Sequence, residues 1–377
     1  MTGLLSPANG QKLRRDGPHA LHDGERRWPV VDGIPFLRVG REALVEASLR
    51  HLDEGRPDAA LALLLADQDD WWTGPPMAPG SLLGLIRQRD QLTLREAMTH
   101  LGWGRVGDYF SHRWTDPTFL AGLALTEAHW NDPSVAFELA CGIGHHLRAL
   151  HQQGVTVVGA DVVFSKLWIA RHWIVRNATL ICFDAAAPWP IAGQEFDLVA
   201  CHDAFYFLEP KAVILDRLRA LSGSGVLLVS HVHNRDWPNL SSGAAMTAPD
   251  LQAMAPDATI YDDSELTRAL VEARAAAIAH PDDLAHVEAF GLAIGKGPAR
   301  PVEGWLGLPH SDALLRRNPL YAADGEVEWP SERYRREYAE RATYPERSRM
   351  PPSMLRSQAP AECIRRRELV DLPERWG

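Results

Sequence analysis

Three acidic residues recur at equal intervals in the middle of this chain. Glu138, Asp161 and Asp184 lie 23 residues apart, each in or just past an apolar run of strand-like composition. That interval is about one strand-helix unit, so the three carboxylates are expected along the carboxyl edge of one parallel sheet, where open α/β sheets bind ligands. Around the first acid the chain reads Phe137-Glu138-Leu139-Ala140-Cys141-Gly142-Ile143-Gly144, a strand that turns through two glycines into a helix. Glycine there lets the backbone approach a ligand closely. A dinucleotide-binding loop begins the same way, but its fingerprint would put glycine at 147, where this chain has Leu147; no diphosphate is expected.

Histidines stand further along the same edge. His202 follows the fourth strand-like run, and His231 and His233 end the fifth. Adjacent parallel strands are about 4.8 Å apart, so the three imidazoles could converge on one pocket. An imidazole with an ordinary pKa of about 6.5 takes a proton near neutrality. His202 is therefore the first candidate for a general base, with His231 and His233 beside it and hydrogen-bonded packing as the competing reading. A His-x-His pair plus a third histidine could also hold a metal. Strand alternation alone puts His231 and His233 on one side, however, and no metal site is expected.

The elements needed to position these residues can be read from hydropathy. Strand-like runs at 136–139, 155–160, 179–183, 196–201 and 226–231 alternate with helix-like runs at 146–152, 165–176 and 210–220. This alternation predicts an α/β fold with a doubly wound, mostly parallel sheet. Beyond it, 264–279 reads as an Ala-rich helix and 289–295 as a late strand. Before it, residues 41–130 are helical: a hairpin over 42–65 broken by Gly55-Arg56-Pro57, then 81–89, 93–101 and 116–130. Residues 1–40 are turn-rich and close on Trp28-Pro29-Val30-Val31-Asp32-Gly33-Ile34-Pro35-Phe36-Leu37, a small β module. The expected divisions are thus 1–40, 41–130, 131–299 and a Pro- and Arg-rich tail, 300–377, to which no element is assigned.

The glycine turn and its flanking acid resemble the first motif of class I S-adenosylmethionine-dependent methyltransferases, which reads E/D-x-x-C/G-x-G-x-G, and the likeness runs over roughly 134–234. It implies a Rossmann-like fold with S-adenosylmethionine as cofactor, held by Glu138, Ala140, Cys141, Gly142 and Gly144 of the motif. Asp161, followed by Val162, would take both ribose hydroxyls, a carboxylate having two oxygens to offer. Asp184 would meet the adenine amine, with Phe183 and Ala185 flanking the ring. The end of the fourth strand, at His202, would lie near the sulfonium. Upstream, Tyr109-Phe110-Ser111-His112-Arg113-Trp114 precedes a helix; the likeness implies that Tyr109 folds over the cofactor and Arg113 pairs with its carboxylate. His145 departs from the pattern, standing where a third glycine is common. Residues 1–40 resemble the zinc-ribbon activator subunits of some methyltransferases, but the Cys-rich opening is replaced by Ser6-Pro7-Ala8-Asn9, so no zinc is expected there.

Charge narrows the acceptor. With 49 acidic against 39 basic residues and a formal charge of −10, no overall basic field gathers nucleic-acid phosphates. Cys141, Cys182, Cys201 and Cys363 form no C-x-x-C pair, as expected of reduced thiols in a cytoplasmic protein. Neither a signal peptide nor an apolar stretch near the roughly 20 residues of a membrane span is seen. The expectation is in-line methyl transfer to a small metabolite or natural-product intermediate. The rivals are protein or tRNA methylation, a non-catalytic binding protein that kept this fold, and, disfavoured by Leu147, a nicotinamide oxidoreductase.

Overall fold

The computed structural model describes residues 3–238, 243–280, 282–295 and 299–377. Its central sheet has seven strands: β1 (Val135–Leu139), β2 (Thr156–Asp161), β3 (Thr179–Cys182), β4 (Leu198–His202), β5 (Val226–His233), β6 (Thr259–Asp262) and β7 (Ala289–Gly295). Their order is β6-β7-β5-β4-β1-β2-β3. β1 to β5 run parallel, and β7 enters antiparallel between β5 and β6. The winding direction reverses at β1, so the loops leaving β1 and β4 diverge and open a crevice at their carboxyl ends. β4 and β5 are buried at every position, which is why Leu198–Cys201 and Val226–Val229 read as unbroken apolar runs rather than alternating ones.

The first helix after the glycine turn, His145–Gln152, packs closely on β2. A Cβ built on Gly159 would meet Leu147 Cδ1 at 2.5 Å and Cys141 Sγ at 2.8 Å. The close approach thus comes from a glycine on the strand, and Leu147 fills the contact from the helix. On the other side of the sheet's switch point, the helix Pro117–Ala128 is buried at all its residues and packs against β5, β7 and the helix Asp263–Glu272.

The N-terminal residues form a four-stranded antiparallel sheet, Arg14–Arg15, Ala20–His22, Arg27–Val31 and Ile34–Pro35. Its opening turn is closed by hydrogen bonds. Ser6 Oγ donates to Asp23 Oδ2 at 2.5 Å, and Asn9 Oδ1 accepts from the Gln11 N–H at 3.0 Å. The chain then runs alongside β3: Phe36 pairs with Cys182 in parallel, and the Leu37 N–H donates to the Cys182 carbonyl at 2.7 Å. The module therefore covers what would be the open edge of the sheet, a protection that edge strands require.

The helical hairpin breaks where the sequence breaks, into Glu42–Asp53 and Pro57–Ala66. Other expectations need correction. The stretch containing Tyr109 and Arg113 does not merely precede a helix; it is one, Arg105–His112, continued by a 3₁₀ turn over Arg113–Thr115. The Ala-rich helix expected over 264–279 stops at Glu272, where Ala273 turns left-handed at φ 54°. Arg274 pairs back to Glu265 and Glu272, and the Ala277 N–H bonds Glu265, so side-chain pairing closes the turn that alanine propensity would have extended. The tail holds a three-stranded sheet of Ser353–Leu355, Leu314–Arg317 and Leu369–Val370, and a helix, Glu332–Tyr338. It is bound back onto the rest of the chain: the buried Glu127 carboxylate accepts the N–H groups of Glu303, Gly304 and Leu306 at 2.6–2.9 Å, and Trp376 Nε1 donates to the Ser111 carbonyl. Among the described residues no helix is long and apolar enough to cross a membrane.

Phe36 is fully buried and meets Phe164 edge to face at 6.2 Å. Phe36→Ala is expected to lower unfolding free energy by about 3–5 kcal/mol, the usual cost of emptying such a core site; chemical denaturation measures it, and a loss under about 1 kcal/mol would mean that the module is not part of the core.

Candidate active site

A cavity of about 480 Å³ opens at the carboxyl edge of the sheet, at the switch point, within the range of about 300–1,000 Å³ typical of small-molecule sites. From the glycine turn Glu138, Ala140, Cys141 and Gly142 line it. Asp161 and Val162 after β2, and Phe183, Asp184 and Ala185 after β3, continue the same wall. Facing them stand Tyr109 and Arg113 from the helical segment, with His202, His231 and His233 from the ends of β4 and β5. Gly144 is the one residue of the motif set outside the lining. It caps the helix His145–Gln152 at φ 87°, and a Cβ there would meet Val175 Cγ1 at 3.1 Å.

One half of the cavity is a cradle of acids. Asp161 Oδ2 accepts the Gly142 N–H at 3.0 Å and Oδ1 accepts the Val163 N–H at 2.9 Å. These bonds lock the glycine turn to the end of β2 and leave each oxygen a further lone pair for a hydroxyl donor. Ala140 and Gly142 both adopt φ 54°, and a side chain on Gly142 would press on the Phe110 ring at 3.1 Å, so the residue keeps the turn and the helix above it in contact. Glu138 is 2% exposed, and its Oε2 is buried without a partner. Burial pushes its carboxyl up to about 8. A buried acceptor of this kind calls for a donor, which the ammonium of a bound amino acid end would supply. Lys166 Nζ lies 3.7 Å from Asp161 and 3.8 Å from Asp69; Asp69, with Trp71 and Trp72, comes from the loop after Pro57–Ala66 and also lines the cavity.

The other half is built of histidine, tyrosine and one buried ion pair. Arg113 reaches Asp203 Oδ2 at 2.9 Å and Thr118 Oγ1 at 2.8 Å, and lies over the Tyr109 ring at 5.1 Å. Tyr109 OH donates to the same Asp203 oxygen at 2.7 Å, and Tyr206 OH donates to Oδ1 at 3.1 Å. Burial opposes the charge on Asp203, but Arg113, His231, His233 and the Tyr109 donor outweigh it and hold the carboxyl below its usual range. His202 Nδ1 is 2.8 Å from Ser230 Oγ, and its ring stacks on His146 at 4.0 Å; burial lowers it to about 3. His231 Nδ1 donates to Asp263 Oδ2 at 2.8 Å, and burial is outweighed there by Asp263 and Asp203, which raise the imidazole. His233 Nδ1 is buried and unpartnered. Among the described residues, Asp203, His231 and His233 form the group able to share a metal ion, with ligand atoms all within 4.8 Å of one another.

Several lining residues escaped the sequence reading. Asp203 stands beside His202 but carries no signal of its own, and Asp263, behind His231, lies where the strand-helix alternation had blurred. Glu337 and Tyr338 line the cavity from the unassigned tail, and neighbouring Tyr334 hydrogen-bonds Asp116. Arg113 was expected to face a cofactor carboxylate; its contacts on the wall are Asp203 and Thr118.

Residues 137–229 match the family model described as methyltransferase domain. No curated protein matches the chain. Among solved structures, CalS10, an amino pentose methyltransferase from Micromonospora echinaspora, is 25% identical over 31% of this chain and 50% of its own, with a TM-score of 0.27; the chain spans half of that enzyme. A TehB-like S-adenosylmethionine-dependent methyltransferase from Corynebacterium glutamicum is 15% identical over 47% of this chain and 88% of its own, at 0.34. The plantazolicin methyltransferase BpumL, in complex with S-adenosylhomocysteine, is 13% identical over 68% of this chain and 99% of its own, at 0.38. At such scores the weight rests on the domain match and on the strand order with its edge acids. The chain carries a methyltransferase domain, and S-adenosylmethionine is its cofactor.

Asp161→Ala is expected to weaken S-adenosylmethionine binding at least tenfold, since hydrogen bonds to a charged acceptor are worth roughly 1.5–3 kcal/mol. Titration calorimetry reads this directly, and unchanged affinity would remove Asp161 from the site.

Proposed function

We propose that the protein transfers a methyl group from S-adenosylmethionine to a small-molecule acceptor, a metabolite or natural-product intermediate, held in the histidine- and tyrosine-lined half of the cavity. The observation that carries this reading is the construction of that half. Its walls come from the helical segment (Tyr109, Arg113), the core (Asp203, Tyr206, His231, His233) and the tail (Glu337, Tyr338), which suits a small ligand enclosed on several sides better than an extended polymer. The acidic charge of the chain favours the same choice.

Bound S-adenosylmethionine supplies a methyl group on a positively charged sulfur. The protein's task is then chiefly to hold two reactants in line, which converts an encounter in solution into a step within one complex. In this reading Asp161 takes the ribose, Asp184 the adenine and Glu138 the ammonium. His202, expected as a general base, is held by burial at about 3 and so is a poor base near neutrality; tied to Ser230 and stacked on His146, it acts in this reading as a fixed wall beside the reacting centre. The faces of Tyr109 and Tyr206 supply aromatic surface, against which a sulfonium is stabilised.

The pairing assigned to Glu138 has a pH signature. In the free protein this carboxyl holds its proton up to about 8; an ammonium placed against it favours the carboxylate, so binding must expel a proton below that pH. Affinity for S-adenosylhomocysteine should therefore rise from pH 6 to pH 8, by at most about tenfold per unit for one proton, and Glu138→Gln should flatten the profile. Calorimetry in buffers of different ionisation enthalpy would show the released proton, and a flat wild-type profile would dissociate Glu138 from the ammonium.

For the acceptor, S-adenosylhomocysteine release is measured with a panel of small hydroxyl- and amine-bearing metabolites, with bulk tRNA and a peptide pool in parallel. Turnover is expected with a small molecule and should vary little with salt, whereas a nucleic-acid acceptor would show a steep salt slope. Turnover confined to tRNA or peptide would overturn the small-molecule reading.

A further inference from the structure

We propose that Asp203, His231 and His233 bind a divalent first-row transition metal ion at the acceptor end of the cavity. The site itself is read from side-chain geometry; its use in catalysis rests on the methyltransferase reading above. The three residues come from the ends of adjacent parallel strands, β4 and β5. His231 Nε2 lies 4.0 Å from Asp203 Oδ1, and the ligand atoms of all three are within 4.8 Å of one another. Atoms sharing an ion at about 2.1 Å stand roughly 3–3.5 Å apart, so small side-chain rotations bring the set to coordination distance.

The backbone is shaped to present these groups. Asp203 and His231 are non-glycine residues in the left-handed region, at φ 51° and 55°. The pairing of β5 with β7 is irregular at this point, with a register shift between Phe290 and Leu292. A bulge of this kind re-aims a side chain, and left-handed non-glycine residues concentrate at functional sites because the fold must hold them there.

Two further observations point to an ion. His231 gives its Nδ1 to the Asp263 carboxylate at 2.8 Å, leaving Nε2 toward Asp203; a carboxylate behind the far nitrogen is the usual support of a metal-bound histidine. His233 Nδ1 is buried and has no partner, although buried polar atoms nearly always have one. Asp203 retains the capacity to join them. Arg113 and Tyr109 occupy Oδ2, while Oδ1 carries only the 3.1 Å bond from Tyr206. With one carboxylate and two imidazoles, the set lacks the several oxygen ligands that magnesium or calcium needs. Two imidazoles instead favour zinc, cobalt, nickel or iron(II). Three protein ligands leave coordination positions open, as in catalytic rather than structural zinc sites, and oxygen or nitrogen atoms of the acceptor could fill them. The expectation that this chain holds no metal came from strand alternation; it lacked Asp203 and Asp263.

The test uses the full chain, stripped with chelator and dialysed, then titrated with Co²⁺ by visible absorption and with Zn²⁺ by calorimetry. One ion per chain is expected. His231→Ala and His233→Ala should each weaken binding at least tenfold, while His151→Ala, on an exposed helix position, should leave it unchanged. S-adenosylhomocysteine binding by each variant shows that the cofactor half is folded; should an alanine variant lose it, glutamine at the same position keeps more of the volume and reads the same effect. Failure of the wild type to bind either ion, or equal binding by the histidine variants, would overturn the site. Metal binding without S-adenosylhomocysteine binding would uphold the site and sink the methyltransferase reading instead.

Discussion

The histidine- and tyrosine-lined half of the cavity is organised by one buried ion pair. Arg113 and Asp203 are each under a tenth exposed in their side chains and sit 2.9 Å apart. Two charges taken out of water recover the cost only if their remaining hydrogen bonds are also made, and removing either partner typically costs about 3–5 kcal/mol. Here they are made: Thr118 takes up Arg113, and Tyr109 and Tyr206 donate to Asp203. The pair joins the 3₁₀ turn that follows the helix Arg105–His112 to the end of β4, so this helical segment is not free to take an arbitrary position over the sheet. The orientation of Tyr109 and Tyr206 follows from it, and so does the direction in which Asp203 faces His231.

The two halves of the cavity are made by different means. The cofactor half is local: one turn, φ-positive at Ala140 and Gly142, closed by Asp161 on the neighbouring strand. The acceptor half is assembled from distant parts of the chain. Tyr109 and Asp203 are separated by 94 positions, and Tyr334 and Asp116 by 218. This division fits a transferase whose donor is common to many relatives and whose acceptor is particular. The common part can be written into a strand-turn-helix, while the particular part joins Asp203 and Tyr206 to segments that pack onto the core from outside the matched residues 137–229.

That division also accounts for what could be read from the sequence. Glu138, Asp161 and Asp184 were legible because strand-helix units of similar length put residues at a fixed interval on one sheet edge. Asp203 was not, since its importance lies in Arg113, which nothing in the local pattern announces. His231 could be placed at the end of β5 but not given its partner, because Asp263 belongs to a helix whose preceding strand, β6, is only four residues long. The tail was illegible for a similar reason. Its strands have two to four residues, too short for alternation to register, and one of its clusters is mostly tyrosines that find each other only in the folded chain. The Ala-rich stretch after Glu272 shows the opposite failure, a strong local propensity overruled by side-chain pairing from Arg274.

Leu147 connects the sequence argument to the packing. Its side chain disfavoured a dinucleotide because the fingerprint uses glycine there to bring helix and strand together. The same closeness exists in this protein, but the small residue is Gly159 on β2. Exchanging which partner is small preserves the fold and changes the turn. With Leu147 packed into the strand, the helix His145–Gln152 is anchored by its first turn, and His145, on the cavity wall, bonds the Phe110 carbonyl at 3.0 Å. The backbone at Ala140–Gly142 lines the cavity together with the first residues of that helix, and the Asp161 carboxylate braces the turn.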